Sequence, residues 1–168
     1  RYAVTYPACF MLIASMNPCP CGFLTHPEKE CHCTPGEIRR YLNRISGPLL
    51  DRIDLHTEVL PVPFDSLADK REGERSAVIR GRVCAAREIQ TRRFRESDVH
   101  SNAMMNSRMI EKYCKTTPEG RSLLKAAVEK MGLSARAYTR ILKVARTIAD
   151  LAGSETVRPE HIAESIQY

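Results

Sequence analysis

The sequence predicts a mainly α-helical protein with a small α/β part. From about residue 76 onward, apolar residues recur at helical spacing, and prolines and glycines stand where helices begin and end. The first 75 residues instead contain two short segments typical of strands, with two close pairs of cysteines between them. We therefore expect two strands and a cysteine-rich loop within residues 1–75, followed by a helical bundle over residues 76–168.

The two strand-like segments differ in pattern. Phe10–Ser15 is a short apolar run followed by turn-forming residues, which is typical of a buried central strand. Leu55–Val62 alternates between residues that would face opposite sides of a sheet, and Pro61 and Pro63 mark its end. We predict a strand at each segment.

Capping residues mark the helix boundaries. Thr34 is a typical N-cap, followed by Pro35 in the first turn and Glu37 three residues after the cap, so a helix is predicted to begin there. Gly47-Pro48 ends that helix, and Leu49–Arg52 is predicted as a short helical turn. Five further helices are predicted at Ser76–Phe94, Asn106–Lys115, Pro118–Met131, Ser134–Ala152 and Pro159–Gln167.

The composition fits one ordinary domain or two small ones. The chain has 168 residues, of which 43% are hydrophobic, and it carries a formal net charge of +6 with a pI near 9.0. No apolar stretch is long enough to cross a membrane, so we expect no membrane partner and a cytoplasmic location. The sequence begins at Arg1 rather than at a methionine, and we expect it to be part of a longer polypeptide.

Two pairs of cysteines indicate a metal site. The pairs are Cys19-Pro20-Cys21-Gly22 and Cys31-His32-Cys33, and nine residues separate Cys21 from Cys31. Zinc takes four ligands in a tetrahedron, and thiolates suit a structural site without an open position. Gly22 permits a tight turn beside the first pair. We expect one structural zinc ion, held by Cys19, Cys21, Cys31 and Cys33.

Other interpretations of the cysteines remain open. The C-x-C spacing is less typical of zinc sites than C-x-x-C, and His26 or His32 could replace one sulfur. Two disulfides, or four unrelated thiols, are the alternatives, although a reducing cytosol disfavours disulfides. The remaining cysteines lie in apolar or helical contexts and are expected to be plain buried thiols: Cys9, Cys84 and Cys114.

Positive charge is concentrated in one stretch. Between Lys70 and Arg95 there are nine basic residues and three acidic ones. Such a stripe suits a polyanion such as nucleic acid or a nucleotide phosphate. A solvated helix face is the alternative, and charge alone favours it.

The order of these features resembles a known family. Its most specific pieces are Asn17-Pro18-Cys19-Pro20-Cys21-Gly22, the Gly47–Asp54 segment and the Leu133–Leu151 helix. Together they resemble magnesium-chelatase-like AAA+ proteins of the ComM/YifB type, nearly end to end. The resemblance implies that residues 1–75 are the second half of an AAA+ core, with a two-stranded remnant of its sheet. Residues 76–168 would then be the helical lid with its connecting helix.

The resemblance also assigns roles to three residues and draws attention to a fourth. Asn17 matches sensor 1, which orients the attacking water, and Arg52 matches the arginine finger, which reaches the nucleotide of a neighbouring subunit. Arg136 matches sensor 2, a phosphate-binding residue of the lid. Arg140 lies one turn further on the same polar face and is a candidate to support nucleotide binding there. The alternatives are a turn-forming Asn17, a local ion pair of Arg52 with a neighbouring aspartate, and ordinary solvated charges.

The implied function belongs to an intact protein. The chain contains no G-x-x-x-x-G-K-[ST] motif and no strand ending in an acidic pair, so the chain alone is expected to be inactive. The resemblance implies that the intact protein binds ATP and Mg²⁺, hydrolyses ATP as a ring, typically a hexamer, and remodels DNA in a competence-related, branch-migration or helicase-like role. Alternatives are a non-catalytic zinc-containing nucleic-acid-binding module, an adaptor that docks a partner, and the ATPase-subunit role in magnesium chelatase.

Overall fold

A computed structural model describes residues 3, 4, 6, 8, 10–62 and 73–168. The chain divides into two compact units, Arg1–Ser46 and Gly47–Tyr168. The first unit holds the cysteine pairs and one helix, and the second holds the other described helices. The mainly helical class is therefore confirmed.

The helix of the first unit, α1, covers Pro35–Leu42 and begins as predicted. The backbone N–H of Glu37 donates to Oγ1 of Thr34 at 3.3 Å, and the backbone N–H of Thr34 donates to Oε2 of Glu37 at 2.8 Å. This reciprocal pair satisfies two N–H groups that have no partner inside the helix. These bonds fix the first turn of α1 directly after the second cysteine pair.

Neither predicted strand is present. The Phe10–Ser15 segment has no regular hydrogen-bonded structure, and Phe10 and Ile13 are 76% and 81% exposed. The Leu55–Val62 segment is likewise irregular, and Val59 is 88% exposed. A strand requires a neighbour that pairs with its backbone. Within the residues that the structure describes, no strand lies beside either segment, so the apolar pattern alone does not produce a sheet.

The helices of the second unit agree closely with the prediction. Most of their bounds lie within one or two residues of the predicted ones. The short α2 begins at Gly47 rather than Leu49, because Gly47 and Pro48 form its first turn, where proline is tolerated. The helices are α2 (Gly47–Leu50), α3 (Ser76–Arg93), α4 (Ser107–Tyr113), α5 (Pro118–Met131), α6 (Ala135–Leu151) and α7 (Pro159–Ile166), with a 3₁₀ turn at Asn102–Met104.

The core of the second unit is built around α6. Ala145 and Ala149 of α6 are fully buried, which lets neighbouring helices approach it closely. Ile162 of α7 is also fully buried, and burial of such a side chain contributes about 1.5–3 kcal/mol. The same core includes Phe94, Ile110, Leu124, Ile141 and Leu142 from the ends or faces of α3 to α6. The helix that carries Arg136 and Arg140 is thus the best-packed element of this unit.

A buried polar network joins α3 to α6. The carboxylate of Asp150 accepts hydrogen bonds from Arg93 at 2.7 and 2.5 Å, from Nε of Arg146 at 3.1 Å and from Nδ2 of Asn102 at 2.8 Å. Burial raises the pKa of Asp150, but the hydrogen bonds from Arg93 and Asn102 outweigh it and leave the pKa lowered. Burial lowers the pKa of Arg146, whose guanidinium also donates to the backbone carbonyls of Ser154 and Glu155. The network is fully satisfied and fixes how α3 lies on α6.

Candidate metal centre and arginine sites

The four cysteines of the two pairs converge on one point. Their Sγ atoms all lie within 4.8 Å of one another. Sγ of Cys19 lies 3.3 Å from that of Cys21 and 3.7 Å from that of Cys31, and 3.6 Å separates Cys21 from Cys31. All four, Cys33 included, are free thiols, so the alternative of two disulfides is not found.

This arrangement fits a tetrahedral metal ion. Zinc bound to four thiolates at about 2.3 Å requires sulfur–sulfur distances of about 3.8 Å, close to those between Cys19, Cys21 and Cys31. Neither His26 nor His32 belongs to the cluster, whose converging atoms are the four sulfurs. Nδ1 of His26 instead accepts hydrogen bonds from the backbone N–H groups of Glu28 and Lys29, both at 3.1 Å. The donor set is therefore four sulfurs, which suits zinc and leaves no open position for catalysis.

The backbone between the first two cysteines forms a tight turn. The N–H of Gly22 donates to the carbonyl of Cys19 at 3.0 Å, and Gly22 has a φ of +81°. This left-handed conformation favours glycine, since a side chain there would be strained. The sequence predicted this tight turn, and the Sγ atoms of Cys19 and Cys21 lie 3.3 Å apart beside it.

The thiols differ in acidity. A hydrogen bond from the backbone of Phe23, with a further one from Cys19, lowers the pKa of Cys21 to about 6. A backbone hydrogen bond from Cys21 has the same lowering effect on Cys33, but burial and the neighbouring thiols outweigh it and raise the pKa of Cys33 to about 12. Four thiolates this close repel one another, so their joint ionisation requires a cation.

Asn17 stands next to the cysteine turn in the first unit. Its side chain is exposed, and its Nδ2 lies 3.7 Å from the position that a Cβ atom on Gly22 would occupy. The cysteine turn therefore borders the amide of Asn17. The other predicted nucleotide-site residues, Arg52, Arg136 and Arg140, belong to the second unit.

Arg52 is exposed directly after α2. Its Nη1 donates to the carbonyl of Pro48 at 2.7 Å, and the backbone N–H of Arg52 donates to the carbonyl of Leu49 at 3.0 Å. No ion pair between Arg52 and a carboxylate occurs in the described part of the chain, so the local ion pair with Asp51 or Asp54 is not found. The guanidinium is thus held at one terminal nitrogen and retains further donors that face solvent.

Arg136 and Arg140 lie one turn apart on α6 but differ in their surroundings. Arg136 is exposed in the first turn of the helix. Arg140 is half-buried, and its Nη1 donates to the backbone carbonyl of Ile53 at 2.9 Å. Arg140 therefore contacts the residue that follows Arg52. No pattern in the sequence indicated this contact, because the two residues are 87 positions apart.

Some arginines of the basic stripe are bound to acidic residues of the same chain. Lys70 and Arg71 lie outside the described residues. Arg82 forms two hydrogen bonds with Glu74 at 2.7 and 2.8 Å, and Arg93 is bound to Asp150. Exposed arginines of the stripe include Arg80, Arg92 and Arg95. The surface that could meet a polyanion is therefore smaller than the sequence suggested.

Two of the other cysteines differ in exposure. Cys114 is buried, as predicted, and burial raises its pKa to about 11. Cys84 is exposed on α3, so the prediction of a buried thiol is wrong there. The half of α3 that contains it packs against little else, since the buried residues of α3 are Ala86 and Gln90. Cys9 lies outside the described residues.

Comparison with known proteins identifies the family. Residues 73–168 match the family model described as magnesium chelatase, subunit ChlI C-terminal, and residues 1–67 match magnesium chelatase, subunit ChlI. The chain belongs to this magnesium chelatase family, which confirms the resemblance seen in the sequence.

Individual relatives agree with this assignment. The chain is 45% identical to the competence protein ComM of Haemophilus influenzae over 98% of its length, and 42% identical to YifB of Escherichia coli over all of it. It is 34% identical to Rv2897c of Mycobacterium tuberculosis over 97% of its length. These alignments cover 31%, 32% and 32% of the three relatives, so the chain spans about a third of their length.

Among the described helices, none combines the length and the apolar character that a membrane span requires.

Proposed function

We propose that the chain is part of an AAA+ ATPase that assembles into a ring, typically a hexamer, and hydrolyses ATP with Mg²⁺ at the interfaces between subunits. The exposed position of Arg52 carries the proposal. Its guanidinium is anchored at Pro48 and has no acidic partner in the described residues, so it is available to a phosphate of a neighbouring subunit. An arginine in this role stabilises the charge that develops on the transferring phosphoryl group.

The other candidate residues have complementary roles in this proposal. Asn17 orients the water that attacks the γ-phosphate, and Arg136 binds phosphate from the exposed first turn of α6. When ATP is bound, Mg²⁺ would neutralise part of the phosphate charge. This chain would contribute hydrogen bonds and positive charge around the nucleotide. A cation at a helix N-terminus gains nothing from the helix dipole, which supports a phosphate-binding role for Arg136.

The cysteine cluster is proposed to hold one structural zinc ion. Cys19, Cys21, Cys31 and Cys33 supply four sulfurs at distances that suit it. Zinc there replaces a hydrophobic core for a small loop that has few apolar residues to bury. Since Asn17 borders the turn at Gly22, the metal also fixes the backbone beside this residue.

We propose DNA as the substrate of the intact protein. One relative is named a competence protein, the chain has a formal net charge of +6, and exposed arginines remain on α3 and just after it. Remodelling of DNA by an ATP-driven ring in the cytoplasm accounts for these features together. A nucleic-acid-binding module without catalysis explains the charge as well, but it gives Arg52 no role.

The test is performed on the full-length protein. Arg52→Ala is expected to lower kcat for ATP about 10³-fold, while the Kd for a non-hydrolysable ATP analogue changes little, because the finger acts on a neighbour's nucleotide. Mixing Arg52→Ala subunits with subunits that lack the P-loop lysine should restore part of the turnover. At some interfaces of the mixed ring, an intact P-loop then meets an intact Arg52.

The matched control is Arg121→Ala, which removes an exposed arginine from α5 and should leave turnover unchanged. Full turnover by Arg52→Ala would contradict the proposal and favour a binding module. Mixed rings that form without regaining turnover would show that Arg52 acts within its own subunit or only holds local structure.

A further inference from the structure

We propose that Arg140 is a positioning residue: it holds the segment that carries Arg52 against the lid helix α6, so that a subunit's lid sets the position of its own arginine finger. The proposal rests on the function proposed above for Arg52. It assigns to Arg140 a role different from the nucleotide binding that the sequence suggested.

The contact between Arg140 and Ile53 carries the inference. Nη1 of Arg140 donates to the backbone carbonyl of Ile53 at 2.9 Å, and the side chain is half-buried. A hydrogen bond from a charged donor is stronger than one between neutral groups, and partial burial shields it from water. Because Ile53 directly follows Arg52, fixing this carbonyl fixes the backbone from which the finger extends.

The same segment is attached to the rest of the second unit at another point. The backbone N–H of His56 donates to the carbonyl of Tyr168 at 2.9 Å. A cavity of about 60 Å³ lies at this junction, and Asp54, Arg140 and Tyr168 are among the residues that line it. On the other side, the N–H of Ile53 donates to the carbonyl of Leu50 in α2 at 3.0 Å. The finger therefore extends from a short stretch held at both ends.

A link between two sites follows from the position of Arg140 on α6. Arg136 lies one turn earlier on the same continuous, well-packed helix, so a shift of one residue is expected to carry the other with it. A displacement of α6 that accompanies phosphate binding at Arg136 is passed through Arg140 to Ile53. Since a misplacement of about 1 Å can lower a rate about 100-fold, small movements suffice to switch the finger in or out of place.

The experiment uses Arg140→Met in the full-length protein, because methionine keeps an apolar stem for packing but has no donor. Turnover of ATP is expected to fall about 10- to 100-fold, with little change in the Kd for a non-hydrolysable ATP analogue. Arg140→Lys keeps a charged donor and should recover much of the turnover. Mixing Arg140→Met subunits with subunits that lack the P-loop lysine should restore turnover, as for Arg52→Ala.

Lys143→Ala is the matched control. Nζ of Lys143, on the same helix, donates to the backbone carbonyl of Ala103 at 2.7 Å, so this variant loses the same kind of bond away from Arg52. It should lose about as much thermal stability as Arg140→Met but retain its turnover. Equal loss of turnover in both variants would reduce Arg140 to a structural residue and overturn the proposal.

The remaining outcomes separate this proposal from the function on which it rests. If Arg140→Met raises the Kd for the analogue, and mixing restores nothing although mixed rings form, Arg140 binds nucleotide in its own subunit and the proposal is wrong. Unchanged turnover by Arg140→Met also overturns it. In both cases loss of turnover by Arg52→Ala would leave the arginine-finger role intact, whereas full turnover by Arg52→Ala would remove that role itself.

Discussion

Two guanidinium nitrogens of Arg93 bond to the two carboxylate oxygens of Asp150, at 2.7 and 2.5 Å, although the residues are 57 positions apart. The side chain of Asp150 is fully buried, and Arg146 and Asn102 also donate to it. Burying charges is costly unless each is paired and hydrogen-bonded, and here each is. The pair therefore tolerates little change, because the loss of one member leaves the other charges uncompensated.

Asp150→Asn is expected to destabilise the chain by about 3 kcal/mol or more, since it leaves Arg93 and Arg146 without a buried anion. Urea unfolding at low protein concentration measures the change. Glu129→Gln is the control, because Glu129 forms an exposed pair with Lys125 at 3.8 Å and should cost less than about 0.5 kcal/mol. Equal effects of the two substitutions would contradict a structural role for the network.

The same pair predicts a dependence on pH. The pKa of Asp150 is lowered in the folded chain, so its stabilising effect is fully present above the unfolded pKa of about 3.9. That effect is lost as the pH falls through the lower folded pKa. The difference in unfolding free energy between wild type and Asp150→Asn should therefore be constant from about pH 5 to 7 and narrow below about pH 4. A difference that stays constant down to pH 2 would contradict this assignment.

Protein purified without added metal is expected to contain about one zinc per chain, and Cys31→Ser should remove most of it. Elemental analysis provides the measurement. Cys84→Ser is the matched control, since Cys84 is an exposed thiol outside the cluster and its loss should leave the zinc content unchanged. Zinc near zero in folded wild-type protein would show that the four thiols do not serve as a metal site.

Substitutions at two glycines are expected to change the stability of the chain in opposite directions. A Cβ on Gly120 would lie 3.2 Å from Cδ1 of Ile162 and 3.4 Å from Oγ1 of Thr117, so Gly120→Val should cost about 1–3 kcal/mol by overpacking α5 against α7. Gly81 is inside α3 with nothing within 4 Å, and Gly81→Ala should stabilise that helix by about 0.5–1 kcal/mol. Urea unfolding and helical circular dichroism report both effects, and changes of the same sign would refute the prediction.

The helices could be predicted well because their signals are local. Thr117 caps α5 through a bond to the N–H of Gly120 at 3.2 Å, and Gly132 ends the helix with a φ of +60°. The cysteine cluster was predictable for the same reason, since its four ligands span only Cys19 to Cys33. In each case the chemistry that decides the structure lies within one or two turns of the chain.

The strands and the long-range contacts could not be predicted in this way. An apolar pattern such as Phe10–Ser15 indicates a preference for burial. A strand also needs a second strand, from elsewhere in the chain, to pair with its backbone. The bond between Arg140 and Ile53 also has no local signal. The ion pair of Arg146 with Asp150 did have a partial local signal. Opposite charges one turn apart on the buried side of α6 indicate an internal ion pair.

The exposed apolar run near the start of the chain has a practical consequence for handling the protein. Phe10, Met11, Leu12 and Ile13 are 60–83% exposed, next to one another and without a charge among them. Uncharged, unpaired segments of this kind readily stack edge to edge with copies of themselves. Aggregation of the 168-residue chain should therefore rise steeply with concentration, and an aspartate or lysine at Ile13 should improve its solubility.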